Sequence, residues 1–282
     1  MSAEWTEKTA AGIVAARKTG TILFLGNIDT SKTTVAESCA RRAAGRVKTA
    51  FLDADMGQSH IGPPGTVGWA PLRSNRSKID RLKPRGISFV GDVMPVRHLL
   101  QFTTALHHCF QQARAAADIV VIDTPGYVSG PAAAVLWWSV QQMLQPDVIA
   151  AIHRTDELGH IIKPLEKLDS ALKVYKCPDE VPGKSREKRR QFRQKRLRKY
   201  FKDSRRYTFD LRTTPYQLNG YLGKDDILHR AVGLRDSRGD DVAMGFIEKW
   251  DSKKSTARIR CPKLDKTRIK CLVIGDMTVE FD

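Results

Sequence analysis

Short apolar runs alternate with longer stretches in which apolar residues recur every three or four positions. The first pattern is typical of buried strands and the second of amphipathic helices. The predicted strands are Thr21–Leu25, Thr49–Asp53, Ile87–Val90, Ile119–Ile122 and Val148–Ile152. The predicted helices are residues 2–18, Val35–Ala44, Val96–Ala116 and Ala132–Leu144. This alternation predicts an α/β fold whose parallel sheet carries helices on both faces.

The composition changes after Pro178. Residues 184–206 contain thirteen Lys or Arg and only two acidic residues. Beyond residue 210, short apolar runs separated by turn residues predict a small β-rich C-terminal module. The chain therefore divides into an N-terminal helix (1–18), an α/β domain that includes the basic segment 184–206 (19–210), and the C-terminal module (211–282).

The net charge of +17, from 48 basic and 31 acidic residues, favours a polyanionic partner over a merely solubilising surface, because the charge is clustered. The five cysteines are widely spaced and form no C-x-x-C pair, which is typical of reduced thiols in an intracellular protein. No apolar run approaches the ~20 residues of a membrane span. We expect a cytoplasmic protein without membrane association; the sequence does not indicate its oligomeric state.

The stretch that follows the first predicted strand has the features of a phosphate-binding P-loop. It lies between a strand and a helix, where backbone N–H groups and the helix N-terminus face an anion. Lys32 is placed to reach the β- and γ-phosphates and Thr33 to bind Mg²⁺. Ser31 occupies the position of the last glycine of G-x-x-x-x-G-K-[ST], where a Cβ can crowd the phosphate. The predicted nucleotide-binding residues are Gly26, Asn27, Ile28, Asp29, Thr30, Ser31, Lys32, Thr33 and Thr34.

Two acids, Asp53 and Asp55, end the second predicted strand, and Asp123 ends another. The carboxyl ends of parallel strands form the ligand-binding edge of such a sheet, so these acids and the P-loop should meet there. A carboxylate in a phosphate site can hold Mg²⁺ or accept a proton from a nucleophilic hydroxyl.

The turn after Asp123 admits two interpretations. The run Asp123-Thr-Pro-Gly126 fits the D-x-x-G switch of a GTPase, but no Asn-Lys-x-Asp guanine-reading motif follows it. A loop that grips substrate or phosphates through Thr124 and Gly126 fits equally well.

The basic segment lacks Gly and Pro between residues 184 and 201, which predicts a helix. Its arginines recur at helical spacing and form one cationic stripe. Because phosphoryl transfer needs cations around the migrating phosphate, we interpret this helix as a lid over the site rather than as a solvated face.

In combination these motifs resemble the polynucleotide 5′-hydroxyl kinase family. That family includes the kinase subunit of the pre-mRNA cleavage and tRNA-splicing machinery, the rRNA-processing kinases and short archaeal relatives. Four segments carry the resemblance, in the family's order: Gly26-Asn-Ile-Asp-Thr-Ser-Lys-Thr-Thr34, Asp53-Ala-Asp-Met-Gly-Gln58, Thr124-Pro-Gly-Tyr-Val-Ser-Gly130, and the arginine-rich run from Ser185 to Phe201.

The resemblance implies transfer of the γ-phosphate of ATP, or of GTP, to the 5′-hydroxyl of RNA or DNA. It implies that Asp55 is the general base and that Lys32 acts on the transferred phosphate with lid residues Arg189, Arg190 and Arg193. The implied Mg²⁺ ligands are Thr33, Asp53, Asp55 and Asp123. The implied substrate contacts are Gln58, Thr124, Gly126 and Tyr127.

Two other classes stay open at the sequence level. One is a P-loop regulatory GTPase or ATPase, whose nucleotide state would switch a partner. The other is a catalytically weakened RNA-binding relative, in which Ser31 has disabled the loop.

Overall fold

A computed structural model describes residues 2–15, 17–168, 170–220 and 227–280. Residues 1 and 16 of the predicted N-terminal helix, and 221–226 and 281–282 of the predicted C-terminal module, lie outside these ranges. Within them, no helix combines the length and apolar character that a membrane span requires.

The first part of the chain forms alternating helices and strands. In chain order these are α1 (Ser2–Val14), β1 (Gly20–Gly26), α2 (Lys32–Ala44), β2 (Thr49–Asp53), β3 (Thr66–Leu72), β4 (Gly86–Phe89), α3 (Leu99–Ala116), β5 (Ile119–Asp123), α4 (Pro131–Leu144), β6 (Val148–His153), α5 (Gly159–Leu165) and β7 (Ala171–Lys176). All five predicted strands and the last three predicted helices are present, with ends shifted by no more than three residues. The first helix ends at Val14, short of residue 18.

These strands form one seven-stranded sheet in the order β4-β3-β2-β5-β1-β6-β7. Strands β2, β5, β1, β6 and β7 are parallel, whereas β3 and β4 run antiparallel to their neighbours. The predicted α/β class is therefore confirmed, with a mixed edge that the sequence pattern did not indicate.

Helices cover both faces of this sheet. On one face, Leu52 and Ile122 pack with Phe102 of α3 and Trp137 of α4. On the other, Phe24 and the inward sides of α1 and α2 form a second core. Because side chains alternate along a strand, apolar runs of five to seven residues supply both cores at once.

The rest of the chain forms the lid helix and a second sheet. These elements are α6 (Arg186–Tyr200), β8 (Ser204–Asp210), β9 (Tyr216–Leu218), β10 (Arg230–Arg235), β11 (Asp241–Asp251), β12 (Thr256–Pro262) and β13 (Cys271–Thr278). The six strands are ordered β8-β12-β11-β10-β13-β9. Strand β8 begins at Ser204, so this sheet starts earlier in the chain than the boundary of 211 indicated by the sequence.

The two sheets meet beside the end of the lid helix. Leu197 and Phe201 pack into an apolar cluster with Phe89 of β4 and residues of β10, β11 and β13. The backbones also touch, since a Cβ on Gly275 would lie 2.4 Å from the Cα of Gly91. This junction fixes the C-terminal end of α6 between the two sheets.

Candidate functional site

The carboxyl ends of β2, β5 and β1 lie side by side at one edge of the first sheet, because these strands are neighbours and parallel. In the register of β2 and β5, Asp53 is paired with Asp123. Gly26 ends β1 next to them. Three segments that are far apart in the sequence thus meet at this edge.

The P-loop connects β1 to α2 with two residues in the left-handed backbone region. Asp29 has φ of 57°, and Ser31, immediately before the helix, has φ of 63° and ψ of 12°. Nζ of Lys32 lies 3.9 Å from Oδ1 of Asp123, and the Thr33 hydroxyl donates a 2.7 Å hydrogen bond to Oδ2 of the same carboxylate. The loop is therefore tied to the end of β5 through its lysine and its threonine.

The Asp123 carboxylate is buried beneath the P-loop. Burial raises its pKa to about 6, while Lys32 and the hydrogen bond from Thr33 lower it. Among the described residues, its Oδ1 atom accepts no hydrogen bond although solvent does not reach it. A carboxylate oxygen beside a threonine hydroxyl is a donor set that suits Mg²⁺, which takes oxygen ligands.

The two acids at the end of β2 occupy different environments. Asp53 is fully buried, and its oxygens accept hydrogen bonds from the backbone N–H groups of Asp55 (3.1 Å), Ile61 (2.9 Å) and His60. Burial raises the pKa of Asp53 well above its usual range, and Asp123 adds to the effect. The Asp53 carboxylate thus organises the loop that follows β2 and, like Asp123, lies behind the residues that line the cleft.

Asp55 lines the cleft in front of the P-loop. Its Oδ1 atom accepts hydrogen bonds of 3.0 Å from the backbone N–H groups of both Gly57 and Gln58. Gln58 lines the same cleft and accepts a 3.1 Å hydrogen bond from Nζ of Lys184. The turn holds one carboxylate oxygen in place, which fixes the orientation of Asp55 at the cleft.

The loop after β5 meets the P-loop through its glycine. A Cβ on Gly126 would lie 2.5 Å from a methyl group of Ile28 and 2.6 Å from its backbone nitrogen, so only glycine fits there. The Thr124 hydroxyl is buried and donates a 2.6 Å hydrogen bond to the carbonyl of Phe24, which keeps it out of the cleft. Tyr127 is half-buried against the core under α4. Of these three residues, the structure places only Gly126 at the cleft wall.

The start of the lid helix is attached to the P-loop. Ser185 caps α6 by accepting a hydrogen bond from the backbone N–H of Lys188, and Glu187 stands in the first turn, where a negative charge is favourable. The Arg189 guanidinium forms an ion pair with Asp29, and the backbone N–H of Lys184 donates to the same carboxylate. The start of α6 is therefore bound to the P-loop at Asp29.

The predicted lid arginines differ in orientation. Arg190 is exposed, whereas Arg193 is half-buried on the inner side of the helix. Burial and then the neighbouring Arg189 lower the pKa of Arg193, while Asp55 raises it. Arg196, one turn further on, donates to the carbonyls of His60 and Gly62 and holds the helix against the loop after β2.

Between the P-loop and the lid lies a cleft of about 570 Å³. Its walls include residues 27–34, which are eight of the nine predicted nucleotide-binding residues; the ninth, Gly26, lies beneath them at the end of β1. Four of the other predicted site residues also line the cleft: Asp55, Gln58, Gly126 and Arg189. Residues 180–182 and the side of α1 that carries Ala3 and Thr6 line its other end. The walls of the cleft are chemically varied, so they can contact both the phosphates and the organic part of a nucleotide.

Residues 26–203 match the family model described as the mRNA cleavage and polyadenylation factor CLP1 P-loop. The chain belongs to this family. The match covers the P-loop, both acid-bearing strand ends and the lid helix, which are the segments that build the cleft.

Curated archaeal relatives carry the name polyribonucleotide 5′-hydroxyl-kinase. The chain is 33% identical to the protein of Methanocaldococcus jannaschii over 189 residues, which are 66% of this chain and 51% of that protein. It is 30% identical to the protein of Pyrococcus horikoshii over 203 residues, which are 72% of this chain and 55% of that protein. The chain thus matches about half the length of these relatives.

The fold as a whole is similar to that of solved Clp1p structures. Clp1p in complex with Pcf11p aligns with 99% of this chain and 80% of its own at a TM-score of 0.73, with 9% sequence identity. A second structure, of wild-type Clp1p with Pcf11p, gives a TM-score of 0.71 at 10% identity. Because the alignment extends over nearly the whole chain, the second sheet belongs to the shared fold.

Two residues of the site were not found from the sequence. Arg154, just after β6, donates hydrogen bonds to the backbone carbonyls of Asp29 (2.8 Å) and Val181 (3.1 Å) and so joins the P-loop to the segment before the lid. Glu37 of α2 lines the cleft one turn beyond Thr33. Arg154 binds backbone carbonyls, which every residue has, so no sequence motif indicates its role. Glu37 stands out in the sequence only as an acid on the first helix after a P-loop.

Proposed function

We propose that this protein is an ATP-dependent polynucleotide 5′-hydroxyl kinase. The observation that carries the proposal is the position of Asp55 and the lid residue Arg189 on the walls of the same cleft as the P-loop. A P-loop alone serves many nucleotide hydrolases and switches; a carboxylate and a basic lid facing it provide for a second substrate. The names of the archaeal relatives support the same reaction.

The donor nucleotide would bind along the P-loop. Backbone N–H groups and the N-terminus of α2 would hold its phosphates, and Lys32 would contact the transferred one. Within the described residues no three His, Cys, Asp or Glu side chains form a metal-binding group. Mg²⁺ would therefore rest on Thr33, Asp123 and phosphate oxygens, as is usual for this ion in kinases. The bound ion would neutralise charge on the phosphates.

The reaction joins the acceptor hydroxyl to the γ-phosphorus. The 5′-oxygen attacks phosphorus, a new O–P bond forms, and the bond from the γ-phosphorus to the β–γ bridging oxygen breaks, which releases ADP. Asp55 would accept the hydroxyl proton as the oxygen attacks, since the turn that holds its Oδ1 atom orients the carboxylate at the cleft. Gln58, next to it in the cleft, is placed to contact the acceptor end.

The lid would supply positive charge to the transferred phosphate. The Arg189 guanidinium contacts Asp29 of the P-loop through one nitrogen and lines the cleft, so its remaining N–H groups would bind a phosphate oxygen while that ion pair persists. Arg193, one turn further along the inner side of the helix, would add positive charge where the acceptor and donor meet. Such preorganised cations act in a partly water-excluded site, where they are most effective.

The acceptor would be the 5′-hydroxyl end of RNA, with DNA as the alternative polymer. The net charge of +17 and the thirteen basic residues between 184 and 206 suit a polyanionic backbone. ATP is the expected donor and GTP the alternative, which competition between the two nucleotides would resolve.

The test is incubation of the protein with γ-labelled ATP, Mg²⁺ and 5′-hydroxyl RNA or DNA oligonucleotides. We expect label at the oligonucleotide 5′ end, its loss on chelation of Mg²⁺, and its loss in Lys32→Ala. Lys163→Ala, an exposed lysine of α5, is the matched control and should behave as the wild type. Nucleotide hydrolysis without oligonucleotide labelling would indicate a regulatory NTPase, and RNA binding without labelling would indicate a weakened RNA-binding relative.

A further inference from the structure

A short segment next to the turn that holds Asp55 exposes an unusual amount of apolar surface. Met94, Val96 and Leu100 are 54%, 43% and 76% exposed, and they are three of the seven large apolar side chains that are exposed among the described residues. Arg97, between them, is exposed and has a left-handed backbone with φ of 73°. We call residues 93–100 the acceptor shelf.

The acceptor shelf adjoins the turn that holds the candidate base. Gly57, whose N–H donates to Asp55, lies so close to the shelf that a Cβ on it would be 2.8 Å from the carbonyl of Val93. Val93 itself packs against the cluster that anchors the end of the lid helix. The shelf therefore begins beside the turn that holds Asp55 and beside the apolar cluster at the end of the lid helix.

The lid supplies charge on the opposite side of this surface. Leu197, one helical turn after Arg193, packs in the same apolar cluster as Val93, so the side of the lid helix that carries Arg193 adjoins the shelf. Asp92, the residue before the shelf, and Asp55 both raise the pKa of Arg193, although burial has the larger, opposite effect. A strand that enters from Asp55 would meet cationic groups on the lid side and apolar side chains on the shelf side. Single-stranded nucleic acid is bound by positive charge along its backbone together with side chains that pack on its base faces. Here the exposed Arg97 guanidinium and the apolar side chains of Met94, Val96 and Leu100 would supply the second contact.

We propose that the acceptor shelf carries the nucleotides that follow the 5′ end of the acceptor strand. The inference rests on the proposed kinase function and adds the route of the polymer. The shelf would bind a single strand of nucleic acid rather than a protein partner. It adjoins the turn that holds Asp55, where the acceptor end would lie, and the chain is strongly basic. Base pairing would block the apolar contacts, so the preferred acceptor has an unpaired 5′ end.

Site-specific crosslinking tests the route in the wild-type protein. A 5′-hydroxyl RNA ten nucleotides long, with 4-thiouridine at the first, third or fifth position, is bound together with a non-hydrolysable ATP analogue and irradiated. Trypsin releases the shelf in peptides 86–97 and 98–114, since Arg85, Arg97 and Arg114 bound them. We expect the third position to crosslink to these peptides. Crosslinks confined to β8 and β12 of the second sheet would overturn the proposal.

Charge substitutions on the shelf test its contribution to binding. Leu100→Glu adds an acid to the first turn of α3, where a negative charge suits the helix, so the fold should tolerate it. We expect KM for the ten-nucleotide acceptor to rise about fivefold or more with kcat little changed, and Met94→Glu to act likewise. Val174→Glu, an equally apolar exposed site on β7, is the control and should leave KM unchanged.

The outcomes separate this inference from the function on which it rests. If the wild type does not label the oligonucleotide at all, the proposed kinase function fails. If labelling is normal but both shelf variants match Val174→Glu, the kinase stands and the shelf does not carry the strand.

Discussion

Ser31 is the residue of the P-loop whose replacement by glycine gives the sharpest test of the site. Its φ of 63° and ψ of 12° place an L-residue in the left-handed region, and its side chain makes no capping hydrogen bond to α2. That conformation costs an L-residue about 1–2 kcal/mol, whereas glycine adopts it freely. Glycine in turn loses about 0.5–1 kcal/mol more conformational entropy on folding.

The difference between the backbone strain released and the extra entropy lost predicts that Ser31→Gly stabilises the protein by up to about 1.5 kcal/mol. In a chain of this size that raises Tm by about 2–4 °C. The strain is present with and without nucleotide, so its release alone leaves affinity unchanged. Affinity should rise only through the removal of the Cβ from the wall that faces the phosphates.

Thermal unfolding and calorimetric titration with ATP measure the two effects separately. Ser31→Ala is the matched control, since it keeps the Cβ and the strain and removes only the hydroxyl. We expect the alanine variant to resemble the wild type in both measurements. A glycine variant with a lower Tm would refute the strain argument. A similar loss of affinity in both variants would show that the Ser31 hydroxyl binds the nucleotide.

Three further predictions address the chemistry around the cleft. Asp55→Asn should lower kcat by about 10²–10⁴-fold in steady-state assays with little change in nucleotide affinity, because a general base acts in the chemical step; near-normal turnover would exclude Asp55 as the base. Arg193→Ala should lower kcat by roughly 10²-fold and Arg190→Ala far less, since Arg193 lies on the inner side of the lid and Arg190 is exposed; equal effects of the two substitutions would contradict this orientation. Burial raises the pKa of Glu37 to about 7 against the influence of Arg41, so the folded state binds a proton that the unfolded chain releases. The contribution of Glu37 to stability should therefore fall by up to about 3 kcal/mol as pH rises from 4.5 through 7. Asp123, whose pKa is also raised by burial, adds to the fall, so Glu37→Gln should reduce the stability difference in denaturant unfolding between pH 5 and 8 by the share of Glu37 alone; a pH profile unchanged by Glu37→Gln would show that Glu37 is solvated.

The sequence predicts the centre of the first sheet well because its strands are buried on both faces. Strands such as Thr49–Asp53 have to be apolar throughout, and an acid at their end then marks the edge of the sheet. The P-loop and the strand-end acids Asp53, Asp55 and Asp123 follow from this pattern. Their convergence required only that the strands be parallel neighbours.

The elements that the sequence did not predict lie at edges or break the usual residue preferences. Strand β3 contains Pro71, helix α5 contains Pro164, and β7 is an edge strand with exposed or half-buried side chains. Strand β8 begins at Ser204 and contains Arg205 and Arg206, so it continues the basic composition of the lid. In each case pairing or packing with distant segments decides the structure, and local composition does not.

The roles of individual site residues depended on hydrogen bonds that a sequence does not contain. Asp53 and Asp55 look equivalent in the chain, yet one binds three backbone N–H groups inside the loop and the other faces the cleft. Thr124 likewise turns its hydroxyl to the carbonyl of Phe24 rather than to the cleft. Such choices are set by which buried polar groups need partners.

The seat of the lid helix has a consequence for the order in which the protein forms during synthesis. Leu197 and Phe201 rest on Phe246 and Val273, whose strands leave the ribosome after the lid helix itself. A nascent chain that ends after the lid helix already holds its P-loop and both acid-bearing strand ends, but it lacks the apolar residues of β10, β11 and β13 that pack against Leu197 and Phe201. Domains fold largely as units in the order of their synthesis. The C-terminal end of the lid helix therefore gains its complete apolar seat only when β13 joins the second sheet.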